Sequence, residues 1–138
     1  MGSGRNTVNN LEVNAMSQKY KILIIDDDDT FREYLHHSLK KDFCVIEAEN
    51  GIDGMKKAKD SDLIITDIIM PGMNGLEMIT NLRTNFKNPI FVVSGSSVEP
   101  EMAFEFGANL FLQKPFNPQI LKQYINRSLN ITKEEGLI

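Results

Sequence analysis

The feature that most constrains the fold is a fivefold alternation of short apolar runs with segments of helical periodicity. The runs, rich in leucine and β-branched residues, span 22–25, 43–48, 63–66, 90–93 and 110–112. Continuous apolar runs of this length are typical of strands buried on both faces. Strands that alternate with amphipathic helices need crossover connections, which produce a parallel sheet. We therefore predict an α/β fold, a doubly wound (βα)5 domain with a five-stranded parallel sheet and helices on both faces.

Local signals predict where the helices begin and end. Thr30 and Glu33 fit a capping box, so the first helix is expected to begin at Thr30. The other helices are predicted from Asn50, over 74–84, between Pro100 and Gly107, and from Asn117. Cys44 lies in the second apolar run and is therefore expected to be a small buried residue.

Length and composition limit both the organisation and the class of function. The 138 residues suffice for one domain, which we place at 19–131, between a disordered or expression-derived N-terminal segment at 1–18 and a tail or linker stub at 132–138. The MGSG opening is typical of an engineered leader, with Met16 as an alternative natural start. A net charge of −4 argues against direct nucleic-acid binding.

Targeting signals are not evident in the sequence. The chain has no apolar run near the roughly 20 residues that span a bilayer, and no secretory h-region. The single cysteine cannot form an internal disulfide. These observations fit a cytoplasmic protein that does not enter a membrane.

Unusual polar residues follow four of the predicted strands. Asp26–Asp29 come after the first strand, Asp67 after the third, Ser94 after the fourth and Lys114 after the fifth. Doubly wound sheets bind ligands at the carboxyl ends of their strands, so these side chains are expected to meet. Clustered carboxylates need a cation, and hard oxygen ligands favour Mg²⁺. A lysine and a hydroxyl beside them suit the transfer of a phosphoryl group.

Four segments carry a resemblance to a known family. IIDDDDTFR, DLIITDIIMPGMNGLEMI, FVVSGSS and NLFLQKPF resemble, in order and spacing, the receiver domains of two-component response regulators, over about residues 20 to 131. The resemblance implies a flavodoxin-like strand order, 2-1-3-4-5. It also implies a signalling phosphoacceptor rather than an enzyme with an external substrate.

The resemblance assigns a role to each residue that matches the family pattern. Asp67 would accept a phosphoryl group from a histidine kinase or a phosphotransfer protein, in a Mg²⁺-dependent reaction. The metal ligands would be Asp26, Asp27, Asp67 and the backbone carbonyl of Ile69. The phosphoryl group would be bound by Lys114, Ser94 and Gly95, and the Lys114–Pro115 bond would be cis. Ser94 and Phe111 would switch conformation and so regulate an output domain or a downstream protein; the resemblance leaves a homodimer open.

Some positions depart from the family pattern. Gly95 replaces the usual alanine, and Phe111 lacks the hydroxyl of the frequent tyrosine, so a switch there would work through packing alone. Ile69 and Ser96 would flank the path of an attacking water, and Ile69 cannot orient one. We therefore predict slow self-dephosphorylation.

Two other functions fit parts of the sequence. In IIDDDDTF, Asp26 and Asp28 also fit the nucleophile and the acid/base of haloacid-dehalogenase-like phosphatases. That interpretation leaves Asp67 and its M-P-x-M-N-G loop without a role. The second alternative is a phosphate-independent pseudo-receiver, although every acidic position of the pocket is filled.

Overall fold

The strands form a single five-stranded parallel sheet. The computed structural model describes residues 19–70, 72, 74–95 and 99–131. The strands are β1 (Lys21–Ile25), β2 (Cys44–Ala48), β3 (Leu63–Thr66), β4 (Ile90–Ser94) and β5 (Leu110–Gln113). Their order across the sheet is β2-β1-β3-β4-β5, and every pairing is parallel. The predicted fold class and strand order are confirmed.

In the described part of the chain, five helices cover the two faces of the sheet. They are α1 (Asp29–Leu39), α2 (Gly51–Lys57), α3 (Gly75–Arg83), α4 (Pro100–Phe106) and α5 (Pro118–Ser128), and a short 3₁₀ turn (Ala58–Asp60) follows α2. α1 and α5 pack on one face through Leu35 and Leu121, whereas α2, α3 and α4 contribute to the core on the other. Truncating a buried leucine such as Leu35 would cost about 2–5 kcal/mol, so each face stabilises the fold substantially.

Burial explains why some strands were easier to predict than others. Every residue of β3 and β4 is buried, and so is β1 after its first residue. The edge strands β2 and β5 are mostly half-buried. Cys44, at the start of β2, is exposed, so the prediction that it is buried was wrong. It begins an edge strand, where one flank of the sheet has no further strand to cover it.

Short polar side chains cap four of the helices. Asp28 accepts a hydrogen bond from the backbone N–H of Phe31 at 3.2 Å, and α1 begins at Asp29. The predicted capping box at Thr30 was therefore wrong, because an aspartate two residues earlier satisfies the free N–H groups of the first turn. Asn50, Asn74 and Asn117 cap α2, α3 and α5 in the same way.

An arginine joins several chain segments at the amino end of the sheet. The Arg83 guanidinium, at the end of α3, donates to the carbonyls of Gly107, Phe86 and Asn88 at 3.0, 3.1 and 2.7 Å. It also donates to the Asn109 side chain at 2.6 Å. We call this group the Arg83 clasp. It holds the end of α4 and the approach to β5 against α3, on the side of the sheet away from the strands' carboxyl ends.

Within the described part of the chain, none of the helices is long and apolar enough to span a bilayer. The predicted segments 1–18 and 132–138 lie outside the described residues.

Candidate functional site

Backbone hydrogen bonds that extend the sheet beyond its strands place the predicted site residues. The Asp67 N–H donates to the Ile25 carbonyl at 3.1 Å, and the Lys114 N–H donates to the Ser94 carbonyl at 2.9 Å. The Asp26 N–H is likewise held by the adjoining strand, at the Ala48 carbonyl. Because the ends of β1, β3 and β5 are fixed in this way, the side chains that follow them converge at the carboxyl-terminal end of the sheet.

Lys114 joins two of the converging carboxylates. Its ammonium lies 2.9 Å from Asp26 Oδ2 and 3.1 Å from Asp67 Oδ2. Asp26 is 1% exposed and Asp67 8% exposed, so this is a largely buried charge cluster. The Lys114–Pro115 peptide bond is cis, as the family resemblance implied.

The surroundings shift the pKa values of Asp26 and Lys114. Burial raises the pKa of Asp26, against the opposing effects of a hydrogen bond from the Asp28 N–H and of the Lys114 charge. Burial alone would lower the pKa of Lys114, but the hydrogen bonds and charges of Asp26 and Asp67 outweigh it and raise that pKa. The raised pKa keeps Lys114 an ammonium beside the two carboxyl groups.

Asp67 is held in a defined orientation. Its Oδ1 accepts from the backbone N–H groups of Ile68 and Ile69 at 2.6 and 3.2 Å, and its Oδ2 faces Lys114. Thr66 donates its hydroxyl to the Asp67 carbonyl at 2.8 Å. A carboxylate fixed on both oxygens is preorganised for attack on an electrophile held above it.

The four consecutive aspartates have different positions. Asp26 is in the buried cluster and Asp27 is exposed. Asp28 caps α1, and Asp29 accepts from Arg32 Nη2 at 2.6 Å. Over the described ranges, no three His, Cys, Asp or Glu side chains are grouped so that they could hold a metal ion by themselves. The ligand roles of Asp27 and of the exposed Ile69 therefore stay predictions.

Of the remaining predicted residues, Ser94 and Gly95 lie at the same end of the sheet and Phe111 lies within β5. Ser94 ends β4 and is fully buried, whereas Gly95 is exposed. A Cβ on Gly95 would lie 3.8 Å from Lys114 Cβ and Cδ, an ordinary contact, so alanine would fit there too. Phe111 is half-buried against the core that α3 and α4 cover. Ser96 lies outside the described residues.

Two residues of α1 at the site had not been predicted. The Phe31 ring centroid lies 3.9 Å from the Lys114 ammonium, and Phe31 also packs edge-on with Phe116. Arg32 Nη1 donates to the Asp26 carbonyl at 2.6 Å, and Arg32 Nε pairs with Glu47 at 2.8 Å. Both residues lie within the quoted motif IIDDDDTFR, but the sequence alone does not reveal contacts with such distant partners.

The comparison with protein families decides what this arrangement is. The family model described as "Response regulator receiver domain" matches residues 22–126. The chain belongs to the response regulator receiver domain family. Receiver domains are the phosphoacceptors of two-component signalling. The matched range lies within the predicted domain limits, 19 and 131, which stay a prediction.

Individual relatives of this receiver domain agree with that assignment. A chemotaxis protein CheY homolog of Campylobacter jejuni is 35% identical over 126 residues, covering 84% of this chain and 97% of its own. Chemotaxis protein CheY1 of Helicobacter pylori is 36% identical, over 75% of this chain and 91% of its own. The structure of response regulator protein TrrA of Thermotoga maritima, in complex with Mg(2+)-BeF, aligns with a TM-score of 0.72 at 31% identity. That alignment covers 78% of this chain and 97% of the TrrA chain.

Proposed function

We propose that the receiver domain accepts a phosphoryl group on Asp67 in a Mg²⁺-dependent reaction, from the phosphohistidine of a sensor kinase or a phosphotransfer protein. The observation that carries the proposal is the buried Asp67 carboxylate, held by two backbone N–H groups on Oδ1 and facing Lys114 on Oδ2. An Asp67 oxygen attacks phosphorus, the new O–P bond forms, and the N–P bond breaks as the donor imidazole leaves. The reaction is the domain's own modification, not turnover of an external substrate.

Lys114 has a distinct task in this step. Its ammonium already lies at the phosphoacceptor, 3.1 Å from Asp67 Oδ2. The charge that develops on the transferring oxygens would therefore meet a fixed cation in a partly dehydrated site, where electrostatic stabilisation is strongest. The same position allows Lys114 to pair with the phosphoryl group of the product.

The chemistry of the donor set supports Mg²⁺ as the cofactor. Two buried carboxyl groups share one lysine, whose single charge can balance only one carboxylate, so a bound cation would favour the ionised form of the other. Mg²⁺ keeps several waters and commonly uses one or two carboxylates together with phosphate oxygens, so it does not need a complete protein cage. Asp26, Asp27, Asp67 and the Ile69 carbonyl are the proposed ligands. When bound, the ion would supply Lewis-acid stabilisation of the transferring group.

The proposed output is a change of conformation. Ser94 is buried at the end of β4, directly before Gly95, and β4 pairs with β5, the strand that contains Phe111. A phosphoryl group at Asp67 would draw the Ser94 hydroxyl toward it, and the half-buried Phe111 would repack into the space released. The surface formed by α4, β5 and α5 would then change for an output domain, a downstream protein or a second copy. These partners imply a cytoplasmic site of action.

The test is to incubate the protein with acetyl phosphate and Mg²⁺ and to measure its intact mass. We expect the mass of one added phosphoryl group, its loss in Asp67→Asn, and none without a divalent cation. Asp28→Asn is the matched control, because Asp28 is a helix cap and Asn caps equally well. Phosphoryl uptake by Asp67→Asn equal to that of the unaltered chain would refute the assignment of Asp67.

A further inference from the structure

The Lys114 ammonium has an aromatic partner as well as two carboxylates. Its Nζ lies 3.9 Å from the centroid of the Phe31 ring, with Asp26 and Asp67 oxygens at 2.9 and 3.1 Å. A cation over an aromatic face is attracted by the ring quadrupole, more strongly when the pair is partly dehydrated. The Lys114 side chain is only 18% exposed, so water competes little with the ring.

The Phe31 ring is itself held in place by its surroundings. The backbone N–H of Phe31 donates to the Asp28 side chain, which fixes the residue in the first turn of α1. The ring is half-buried and contacts Phe116 in an edge-to-face arrangement, with centroids 6.0 Å apart and an interplanar angle of 76°. A ring restrained by its helix and by a neighbouring ring provides a stationary surface for the ammonium.

The three partners of Lys114 differ in what happens to them during phosphorylation. In the proposed reaction Asp67 becomes an acyl phosphate and its carboxylate charge is replaced by that of the phosphoryl group. Asp26 is a proposed ligand of Mg²⁺, so a bound ion would compete with Lys114 for its carboxylate. The Phe31 ring does not titrate, does not bind Mg²⁺ and is not modified, so its attraction for the ammonium stays constant.

We infer that Phe31 is a positioning residue for Lys114, whose ring keeps the ammonium at the phosphoacceptor while the charges of Asp26 and Asp67 change. The inference rests on the proposed function of Asp67. It requires that the electron density of the ring matters, not only its volume. Losing a partly buried cation–π contact of roughly 1 kcal/mol would slow phosphoryl uptake about three- to tenfold.

The experiment replaces Phe31 with phenylalanines that carry one, two or three ring fluorines. Fluorination withdraws electron density from the ring face but leaves its shape almost unchanged, so folding is preserved. We expect the rate of uptake from acetyl phosphate with Mg²⁺ to fall step by step with each fluorine, and Phe31→Leu to be the slowest. The same fluorinated residues at Phe86, buried in the core on the opposite face of the sheet, are the matched control and should leave the rate unchanged.

A second readout does not depend on phosphorylation. The Lys114 side-chain resonances should shift with each fluorine at Phe31 and should not shift with fluorines at Phe86. If the fluorinated series gives a constant rate, or if Phe31→Leu matches the unaltered chain, the inference is overturned although Asp67 remains the acceptor. If the unaltered chain takes up no phosphoryl group, the proposed function itself has failed, and the inference that rests on it fails too.

Discussion

Gly75, the first residue of α3, is where a single added methyl group should disturb both the fold and the site. It is buried, and its N–H donates to the Ile68 carbonyl at 2.9 Å. A Cβ built at Gly75 would lie 2.5 Å from the Cα and the carbonyl oxygen of Ile68. Ordinary contact begins at 3.4 Å, so the Ile68 backbone would have to retreat by about 0.9 Å. Ile68 directly follows Asp67, so the displacement would reach the proposed phosphoacceptor.

The expected magnitude for Gly75→Ala follows from two opposing effects. Overpacking against backbone atoms costs about 1–3 kcal/mol. Alanine recovers at most about 1 kcal/mol through its higher helix propensity. Because the clash is with backbone, which cannot change rotamer, we expect the free energy of unfolding to fall by about 2 kcal/mol and the melting temperature by roughly 6–10 °C.

Urea unfolding followed by circular dichroism measures this change, with Gly95→Ala as the matched control. Gly95 is also at the site edge, but its added Cβ would meet only ordinary contacts, so its stability should equal that of the unaltered chain. We also expect the folded Gly75→Ala variant to take up phosphoryl groups more slowly. If Gly75→Ala were within about 0.5 kcal/mol of the unaltered chain, the reasoning from backbone contact would be wrong.

Three further predictions concern other parts of the molecule. Arg83→Met removes the hydrogen bonds of the Arg83 clasp but keeps most of the side chain's volume. It should lower the free energy of unfolding, measured by urea titration, by about 2–4 kcal/mol. A loss below about 1 kcal/mol would contradict a structural role for the clasp. Ile69→Asn should shorten the lifetime of the phosphorylated protein, because an exposed amide can orient a water that isoleucine cannot; decay of the unaltered chain within seconds would contradict the prediction that it self-dephosphorylates slowly. Burial alone would raise the pKa of Glu47, but hydrogen bonds and charges from His36 and Arg32 hold it below its ordinary 4.5. The interactions that lower this pKa stabilise the fold above about pH 4.5, and their contribution is lost as the pH falls through the folded-state pKa. In denaturation curves, the difference in the free energy of unfolding between the unaltered chain and Glu47→Gln should therefore shrink below about pH 4.5. A difference that does not change with pH would rule this out.

The sheet could be predicted from the sequence because its central strands are buried on both faces. A strand such as β3, in which every residue is buried, must be apolar throughout, and such a run is easy to recognise. The site could be predicted for a related reason. Parallel strands all end at the same edge, so polar residues that follow buried runs, such as Asp67 and Lys114, must meet in space.

What could not be predicted depends on contacts between distant residues or on small differences between neighbours. Among consecutive aspartates, any one could cap a helix, and only the position of α1 against the sheet selects Asp28. Cys44 was misjudged because sequence does not tell an edge strand from a central one when both begin with apolar residues. The contacts of Phe31 with Lys114 join residues more than eighty positions apart, and no local pattern encodes them.

The Arg83 clasp has a consequence for how a signal could cross the domain. Its hydrogen bonds fix the carboxyl-terminal end of α4, at Gly107, while the proposed phosphoacceptor Asp67 lies at the opposite end of the strands. A helix tethered at one end turns about that end instead of sliding as a unit. Spin labels near Met102 should therefore move further on phosphorylation than labels near Phe106. The surface formed by α4, β5 and α5 would then tilt about the clasped end of α4.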